Sequence, residues 1–337
     1  MDSKTKKLLN ISLLQAFGIL CVLLGHSVHI FSSWGWYFHQ APLNTTCNII
    51  HHFVYSFHMP LFIFLSGYLF YKIKSDNFNI VKYIFKRIKR LIVPFFVVGF
   101  LYYIPMFRLL SPENRSLVHL IKDFVTLNFC GPFWFLISLF FISLTVISFT
   151  ETRLNKIPAP IIAISLIGLN LLKISGIPFA IQCVPKLAIY FYLGYLVVKY
   201  EKQIYSYFIN NKTTMIIATI IWVGLEVFKY KNFDNIYLTL ITASISIFVL
   251  FAFSVHITKK FKNISTSCFV QTLSTNMLFI YLLQEPIMFS LLKAMNWGIG
   301  YNAIFVSYIL FISTLIICLG FIYLKSQLFR KDLVRKA

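Results

Sequence analysis

His26 is the residue of this sequence best suited to chemistry. It lies near the end of an apolar segment, residues 8–31, and about 20 apolar residues are enough to span a bilayer core. An ionisable side chain inside a membrane helix is costly and usually functional. A neutral imidazole, with an ordinary pKa of about 6.5, can take a proton from a hydroxyl group. We therefore predict that His26 is a catalytic base inside a membrane protein.

The same helix carries other polar residues. Gln15 lies eleven residues before His26, close to three helical turns, so the two share a face. Ser12 and His29 each lie one turn from one of them, near that face. Because polar faces of membrane helices turn towards protein or water, we expect this face to line a site. The segment is too long for a signal peptide and has no small-residue cleavage site, so we expect it to be retained.

A second histidine, His58, lies in the next apolar segment, two residues before Pro60. Proline lacks an amide hydrogen, so it should kink the helix and free the carbonyl group of Ser56. His58 either binds that carbonyl for structural reasons or takes part in catalysis, and the sequence supports both interpretations.

Arg87 and Arg90 follow in a basic stretch before the third apolar segment. They are three residues apart, so they share a helix face, and guanidinium groups bind phosphate oxygens well. The simpler interpretation of the stretch is a topology signal that contacts anionic lipid.

Late in the chain, Gln284 and Glu285 lie inside another apolar segment. At about 1.5 Å per residue, Gln284 lies about 24 Å from the inner end of its segment and His26 about 27 Å from the inner end of its own. We therefore expect them to meet in the outer half of the bilayer. Trp134 begins the fourth segment at the same height, where it either walls a pocket or anchors the helix at the interface.

Composition defines the class of protein. The chain is 58% hydrophobic and 12% charged, whereas charged residues make up about 25% of soluble domains. We predict an all-α polytopic membrane protein that forms one domain over residues 1–337. Apolar windows predict ten spans, at residues 8–31, 49–71, 91–107, 131–150, 159–174, 179–198, 213–230, 236–257, 268–294 and 301–324.

The net charge of +21 is better explained by basic cytoplasmic loops than by nucleic acid binding. Lysine and arginine concentrate in alternate loops, which predicts that both termini are cytoplasmic. The first outer loop, residues 32–47, has no Lys or Arg and is aromatic, with Trp34, Trp36, Tyr37 and Phe38, as is typical of the membrane interface. The chain has six cysteines. Cys47 and Cys130 both fall near the outer face, so the sequence allows a disulfide between these two.

Four short motifs, in this order and spacing, resemble the acyltransferase family 3 membrane proteins. They are LLGHS at residues 23–27, FHMPLFIFLSGY at 57–68, RIKRLIVP at 87–94 and FWFL at 133–136. The resemblance implies transfer of an acyl group, usually acetyl, from cytoplasmic acyl-CoA to a sugar hydroxyl. It also implies that His26 acts on the acceptor hydroxyl and that Arg87 and Arg90 bind acyl-CoA.

The sequence departs from the family pattern at three positions. Many members carry Asp and Arg in the first helix where this chain has Ser12 and Gln15, and a histidine where it has Gln284. The missing arginine removes a cation that holds the acyl donor or orients the histidine, so we assign Gln15 to the donor site.

We expect a multi-pass acyltransferase of the inner (plasma) membrane that uses acyl-CoA as co-substrate and no metal. His26 and His58 are the candidate catalytic residues, and Gln284, Glu285 and Trp134 the candidate substrate-binding residues. The expected partners are a surface polysaccharide or lipid-linked glycan, membrane lipid and other polysaccharide-assembly proteins. Two alternatives stay open: an exporter of the same glycans, and an inactive scaffold in a polysaccharide complex.

Overall fold

The structure, a computed structural model, describes residues 3–35, 41–74, 77–110, 116–128, 130–152, 156–172, 174–232, 235–261, 263–298 and 300–335. Every regular element in these ranges is helical, which confirms the all-α class. Three residues of the aromatic outer loop, Trp36, Tyr37 and Phe38, lie outside the described residues.

The α-helices follow one another with short connections. In chain order they are α1 (Ser3–Val28), α2 (Thr45–Ile73), α3 (Ile80–Arg87), α4 (Val93–Val98), α5 (Ile104–Leu110), α6 (Leu117–Val125), α7 (Trp134–Glu151), α8 (Ala159–Leu171), α9 (Phe179–Lys199), α10 (Glu201–Ile204), α11 (Lys212–Asn232), α12 (Ile236–Lys260), α13 (Cys268–Thr275), α14 (Met277–Ala294) and α15 (Ala303–Arg335).

Nine helical stretches in the described part of the chain are long and apolar enough to cross a membrane. Eight of the ten expected spans fall on them at nearly the expected places, and a ninth, residues 268–294, divides at Asn276 into α13 and α14. The remaining one, 159–174, folds as α8, which has 13 residues. At 1.5 Å per residue α8 is about 20 Å long, shorter than a bilayer core of about 30 Å.

The third span begins earlier than its apolar window. A continuous helical run extends from Ile80 to Leu109, so the basic stretch lies on the helix itself. Two π-helical segments, Ile88–Ile92 and Gly99–Tyr103, interrupt the α-helical geometry. Each ends just before a proline, Pro94 or Pro105, and a wider turn relieves the clash of the proline ring with the preceding turn.

The chain divides into two compact units. The first contains Met1–Tyr55, Leu110–Glu113 and Lys262–Ala337. In it α1 packs against α13, α14 and α15, and α14 packs against α15. Its buried apolar side chains come from all four helices: Ile11, Ile19, Val22, Leu273, Ile280, Leu292, Val306 and Leu310.

The second unit contains Ser56–Leu109 and Asn114–Phe261. Here α9 packs against both α7 and α8, and α11 packs against α12. Gly67 and Gly194 allow α2 and α9 to approach closely: a Cβ added at Gly67 would lie 2.1 Å from the carbonyl oxygen of Phe191. Small residues have this role in membrane helix packing, where lipid offers no hydrophobic driving force.

Large apolar side chains cover the outside of both units. On α11 the side chains of Ile216, Ile220, Val223 and Val227 are exposed, whereas Trp222 and Glu226 are buried. An apolar outer face with polar groups turned inward suits a helix surrounded by lipid.

Candidate functional site

His26 lies in the last turn of α1 and is 9% exposed. The residue before it, Gly25, allows the first turns of α2 to lie against α1. A Cβ added at Gly25 would meet Val54 Cγ1 and Tyr55 Cε2, each at 3.0 Å. The ring of Tyr55 is stacked with that of His26, with centroids 6.1 Å apart. The imidazole is therefore held in a packed environment between helices.

Gln284 contacts His26 directly. Its Nε2 lies 3.3 Å from His26 Nδ1, and its side chain is fully buried. Gln284 lies in α14, two residues before Pro286 in the middle of the helix. The meeting predicted from residue heights is confirmed by this contact, while the substrate-binding role of Gln284 stays a prediction.

Two buried acceptor oxygens lie on α14 beside this contact. Gln284 Oε1 and Glu285 Oε2 have no hydrogen-bond partner among the described residues, and the Glu285 side chain is 3% exposed. Buried polar oxygens are normally satisfied, so each such exception needs an explanation. Oxygens of this kind suit a ligand that brings hydroxyl donors.

Gln15 is half-buried, as is Ser12, on the same helix as His26. Of the polar face expected from this spacing, His26 is therefore buried, while Ser12 and Gln15 are only half-buried. Gln15 has no hydrogen bond or ion pair to the described residues, and its assignment to the acyl donor stays a prediction.

The sequence analysis missed a cluster of rings around His29. His29 Nδ1 lies 2.8 Å from His51 Nε2, and His51 is 2% exposed. Tyr55 stacks on His51, with ring centroids 3.9 Å apart, and on His29, at 5.7 Å. The sequence shows His29 one helical turn after His26. It does not show that His51 is the partner of His29, because that contact depends on how α1 and α2 pack.

His58 is 2% exposed and lies in α2, which continues through Pro60 without a break. It belongs to the second unit, whereas His26 belongs to the first. Its catalytic assignment stays a prediction.

A polar network missed by the sequence analysis lies close to His58 in the chain. Ser56 Oγ donates a hydrogen bond to Glu226 Oε1 at 2.5 Å, and Trp222 Nε1 donates to the same oxygen at 3.1 Å. Glu226 is 6% exposed. The network ties α11 to α2 at the turn before Pro60.

Arg87 and Arg90 differ in their surroundings. Arg87 is half-buried, with Nε donating to Tyr83 Oη at 2.6 Å and the guanidinium 5.1 Å from the centroid of that ring. Arg90 is exposed, within the π-helical segment. Neither forms an ion pair with a carboxylate in the described ranges, so both charges can meet an anion.

Trp134 begins α7 and is half-buried. Its ring packs edge-on against Phe179, with centroids 5.3 Å apart, and against Phe135, at 6.1 Å. These contacts fit an anchoring role in the second unit, and its role in substrate binding stays a prediction.

The cysteines are free thiols. Cys47 and Cys130 are both buried and neither forms a disulfide. Burial, with a smaller contribution from Cys183, raises the pKa of the Cys130 thiol to about 12. Cys268, at the start of α13, is exposed.

The family follows from comparison of the chain with known protein families. A family model described as "Acyltransferase domain", the acyltransferase 3 family, matches residues 8–323. This is nearly the whole chain, so the protein belongs to that family and is a membrane acyltransferase. No curated protein sequence and no solved structure matches it.

Proposed function

We propose that this protein transfers an acyl group, acetyl in the first instance, from acyl-CoA to a hydroxyl of a cell-surface or lipid-linked saccharide. One observation carries the proposal beyond family membership: the buried contact between His26 and Gln284. A base inside a membrane helix is expensive to maintain, and a buried partner that fixes the orientation of its ring suits a general base.

The geometry of Gln284 defines how His26 would act. A glutamine side chain offers both an oxygen and an amide nitrogen at similar reach. If the amide of Gln284 is rotated so that its oxygen faces His26, Gln284 Oε1 accepts a hydrogen bond from His26 Nδ1–H. This rotation also gives the buried Oε1 a hydrogen-bond partner. Nε2 of the imidazole is then the nitrogen that takes the acceptor proton. General-base assistance of this kind contributes about 10²–10⁴ in rate.

Arg87 and Arg90 are the residues proposed to bind the acyl donor. Their charges are not neutralised by a described carboxylate, which suits the phosphates of a CoA ester. Bound acyl-CoA supplies the activated acyl carbonyl group. Gln15 replaces the family's cation in α1, so in this chain the contact from α1 to the donor is a neutral hydrogen bond.

Glu285 and the amide of Gln284 are proposed to bind the acceptor. A saccharide brings several hydroxyl groups: the buried carboxyl group of Glu285 accepts hydrogen bonds from them, and Gln284 Nε2, with Oε1 turned towards His26, donates to their oxygens. The protein would act in the plasma membrane, together with other proteins that assemble surface polysaccharides.

Mass spectrometry of surface glycans tests the proposal. Cells with the protein should carry glycans heavier by one or more acyl groups than cells without it, in similar amounts. Surface glycan that is unmodified in both strains but scarce without the protein would replace the proposal with export. Equal mass and equal amount would contradict both functions.

A further inference from the structure

His29 and His51 form a second titratable centre in the unit that contains His26. Their ring nitrogens lie 2.8 Å apart, from the short 3₁₀ segment His29–Phe31 that follows α1 to the second turn of α2. His29 also hydrogen-bonds to the backbone of Gly35. The two rings are therefore held at hydrogen-bond distance by contacts on both elements.

The hydrogen bond sets how many protons the pair can take. Between two neutral imidazoles, one nitrogen donates and the other accepts. One added proton makes one ring an imidazolium that still donates to its neutral neighbour. A second proton would set two N–H groups and two positive charges against each other at 2.8 Å. The pair therefore has capacity for a single extra proton.

The pair begins one helical turn beyond His26, so the two sites are neighbours on α1. His26 is almost fully buried, and His29, one helical turn further, is half-buried. The ring of Tyr55 stacks on His26, His29 and His51 alike. The three imidazoles are thus arranged around one tyrosine, with the more exposed of them at the outer end of the helix.

We propose that the His29–His51 pair receives the proton that His26 takes from the acceptor hydroxyl and releases it to water. This inference rests on the proposed function. As the O–acyl bond forms, the hydroxyl proton moves to His26 and the C–S bond breaks, and its electron pair leaves with the CoA thiolate. The imidazolium of His26 then passes its proton to the pair and returns to the neutral base needed for the next turnover.

The elements around the pair carry few other charges. Apart from the pair, the titratable groups on α1 from His26 onward, on the first three turns of α2, on α14 from Gln284 onward and at the start of α15 are His26, Cys47, His52, Tyr55, Glu285, Lys293 and Tyr308, and Tyr301 precedes α15. Tyr301 and Tyr308 are exposed, and Glu285 is buried on α14.

Kinetics of glutamine variants tests the relay. Glutamine can donate and accept hydrogen bonds but cannot carry a proton, so His51→Gln and His29→Gln keep the contact and remove the relay. Each variant should lower kcat about tenfold and leave KM unchanged. This decrease is smaller than the decrease of about 10²–10⁴ in rate expected for loss of the base itself. The double variant should be no slower than either single variant, because both remove one path. Imidazole in the buffer should restore turnover, and His52→Gln should behave as wild type.

Two results would overturn the inference. One is a His51→Gln enzyme with wild-type kcat. The other is a loss of kcat that is additive in the double variant and is not restored by imidazole, because a purely structural contact would behave in this way.

NMR of ¹⁵N-histidine-labelled protein separates this inference from the proposed function. If the two rings titrate together with one proton in wild type but no acyl transfer occurs, the proposed function fails and the proton site stands. If they titrate independently, the relay fails whatever the activity.

Discussion

At the scale of single residues, a buried imidazole needs a partner that fixes its tautomer, and Gln284, 3.3 Å from His26 Nδ1, is the partner that we propose for His26. The contact could be predicted because both residues lie at a similar height in helices of known rise. The His29–His51 contact could not, because the height of a residue does not determine which face of α2 turns towards α1. Sequence spacing thus defines position along a helix, while rotation about it is set by packing.

Replacement of Gln284 by leucine tests its role in orienting His26. Leucine keeps the volume and removes the hydrogen bond, so kcat should fall about two- to thirteenfold, which corresponds to the loss of about 0.5–1.5 kcal/mol for a typical hydrogen bond. Steady-state kinetics in membranes measures the change. The exposed Gln203 on α10 gives the control, Gln203→Leu, which should match wild type. An unchanged kcat in Gln284→Leu would exclude the orienting role.

The donor site is tested at Arg87 and Arg90. Substitution of both by glutamine removes two charges that meet phosphate, so the KM for acyl-CoA should rise at least tenfold while the acceptor KM is unchanged. Lys82→Gln, an exposed cation on α3, is the matched control and should have little effect. If the acyl-CoA KM of the double variant equals that of the control, the arginines do not bind the donor.

Thiol labelling tests the burial of the cysteines. With its pKa raised to about 12, Cys130 stays a protonated thiol at pH 8 and should resist maleimide in the folded protein. The exposed Cys268 should react readily. Mass spectrometry of labelled peptides measures both, with denatured protein as the control in which both react. Rapid labelling of native Cys130 would contradict the packing described for the second unit.

At the scale of helices, close approach depends on glycine. Gly25 brings Tyr55 and Val54 onto α1 one residue before His26, and Gly67 with Gly194 joins α2 to α9. The sequence predicts where these helices lie but not which of its glycines are contacts. Gly320 on α15 has no atom within 4 Å of an added Cβ, and only the packed structure separates it from Gly25.

Gly25→Ala tests how tightly the ring cluster is packed. The added methyl group needs Tyr55 or Val54 to move, so it should displace the tyrosine from His26 and lower kcat several-fold. Gly320→Ala should instead stabilise α15 by up to about 1 kcal/mol, through helix propensity alone, and leave kcat unchanged. Thermal unfolding and kinetics measure the two effects. A Gly25→Ala enzyme with wild-type kcat would show that the contact with α2 has no catalytic role.

Helix limits also show what apolar windows can predict. The windows found the long spans because hydrophobic length is a property of sequence alone. They missed that α8 ends after 13 residues and that the third span begins at Ile80. Helix ends depend on capping and on prolines such as Pro158, which precedes α8, and these features do not change mean hydropathy.

At the scale of the whole molecule, the chain is a membrane acyltransferase whose two compact units each hold part of the candidate machinery. The first contains His26, Gln284 and Glu285, and the second contains His58, Arg87 and Arg90. The family model matches residues 8–323, nearly the whole chain, and the four short motifs, in their order and spacing, predicted this membership. The cytoplasmic placement of both termini stays a prediction from the distribution of basic residues.

The most direct test of the central claim is acyl transfer by the purified protein in liposomes. The donor is radiolabelled acetyl-CoA, and the acceptor is glycan extracted from cells that lack the protein. Wild type should label the glycan, and His26→Gln should lower the rate by about 10²–10⁴ while remaining folded and inserted. Labelling at the wild-type rate by folded His26→Gln would contradict the account, because the reaction would then proceed without the base on which the whole site is built.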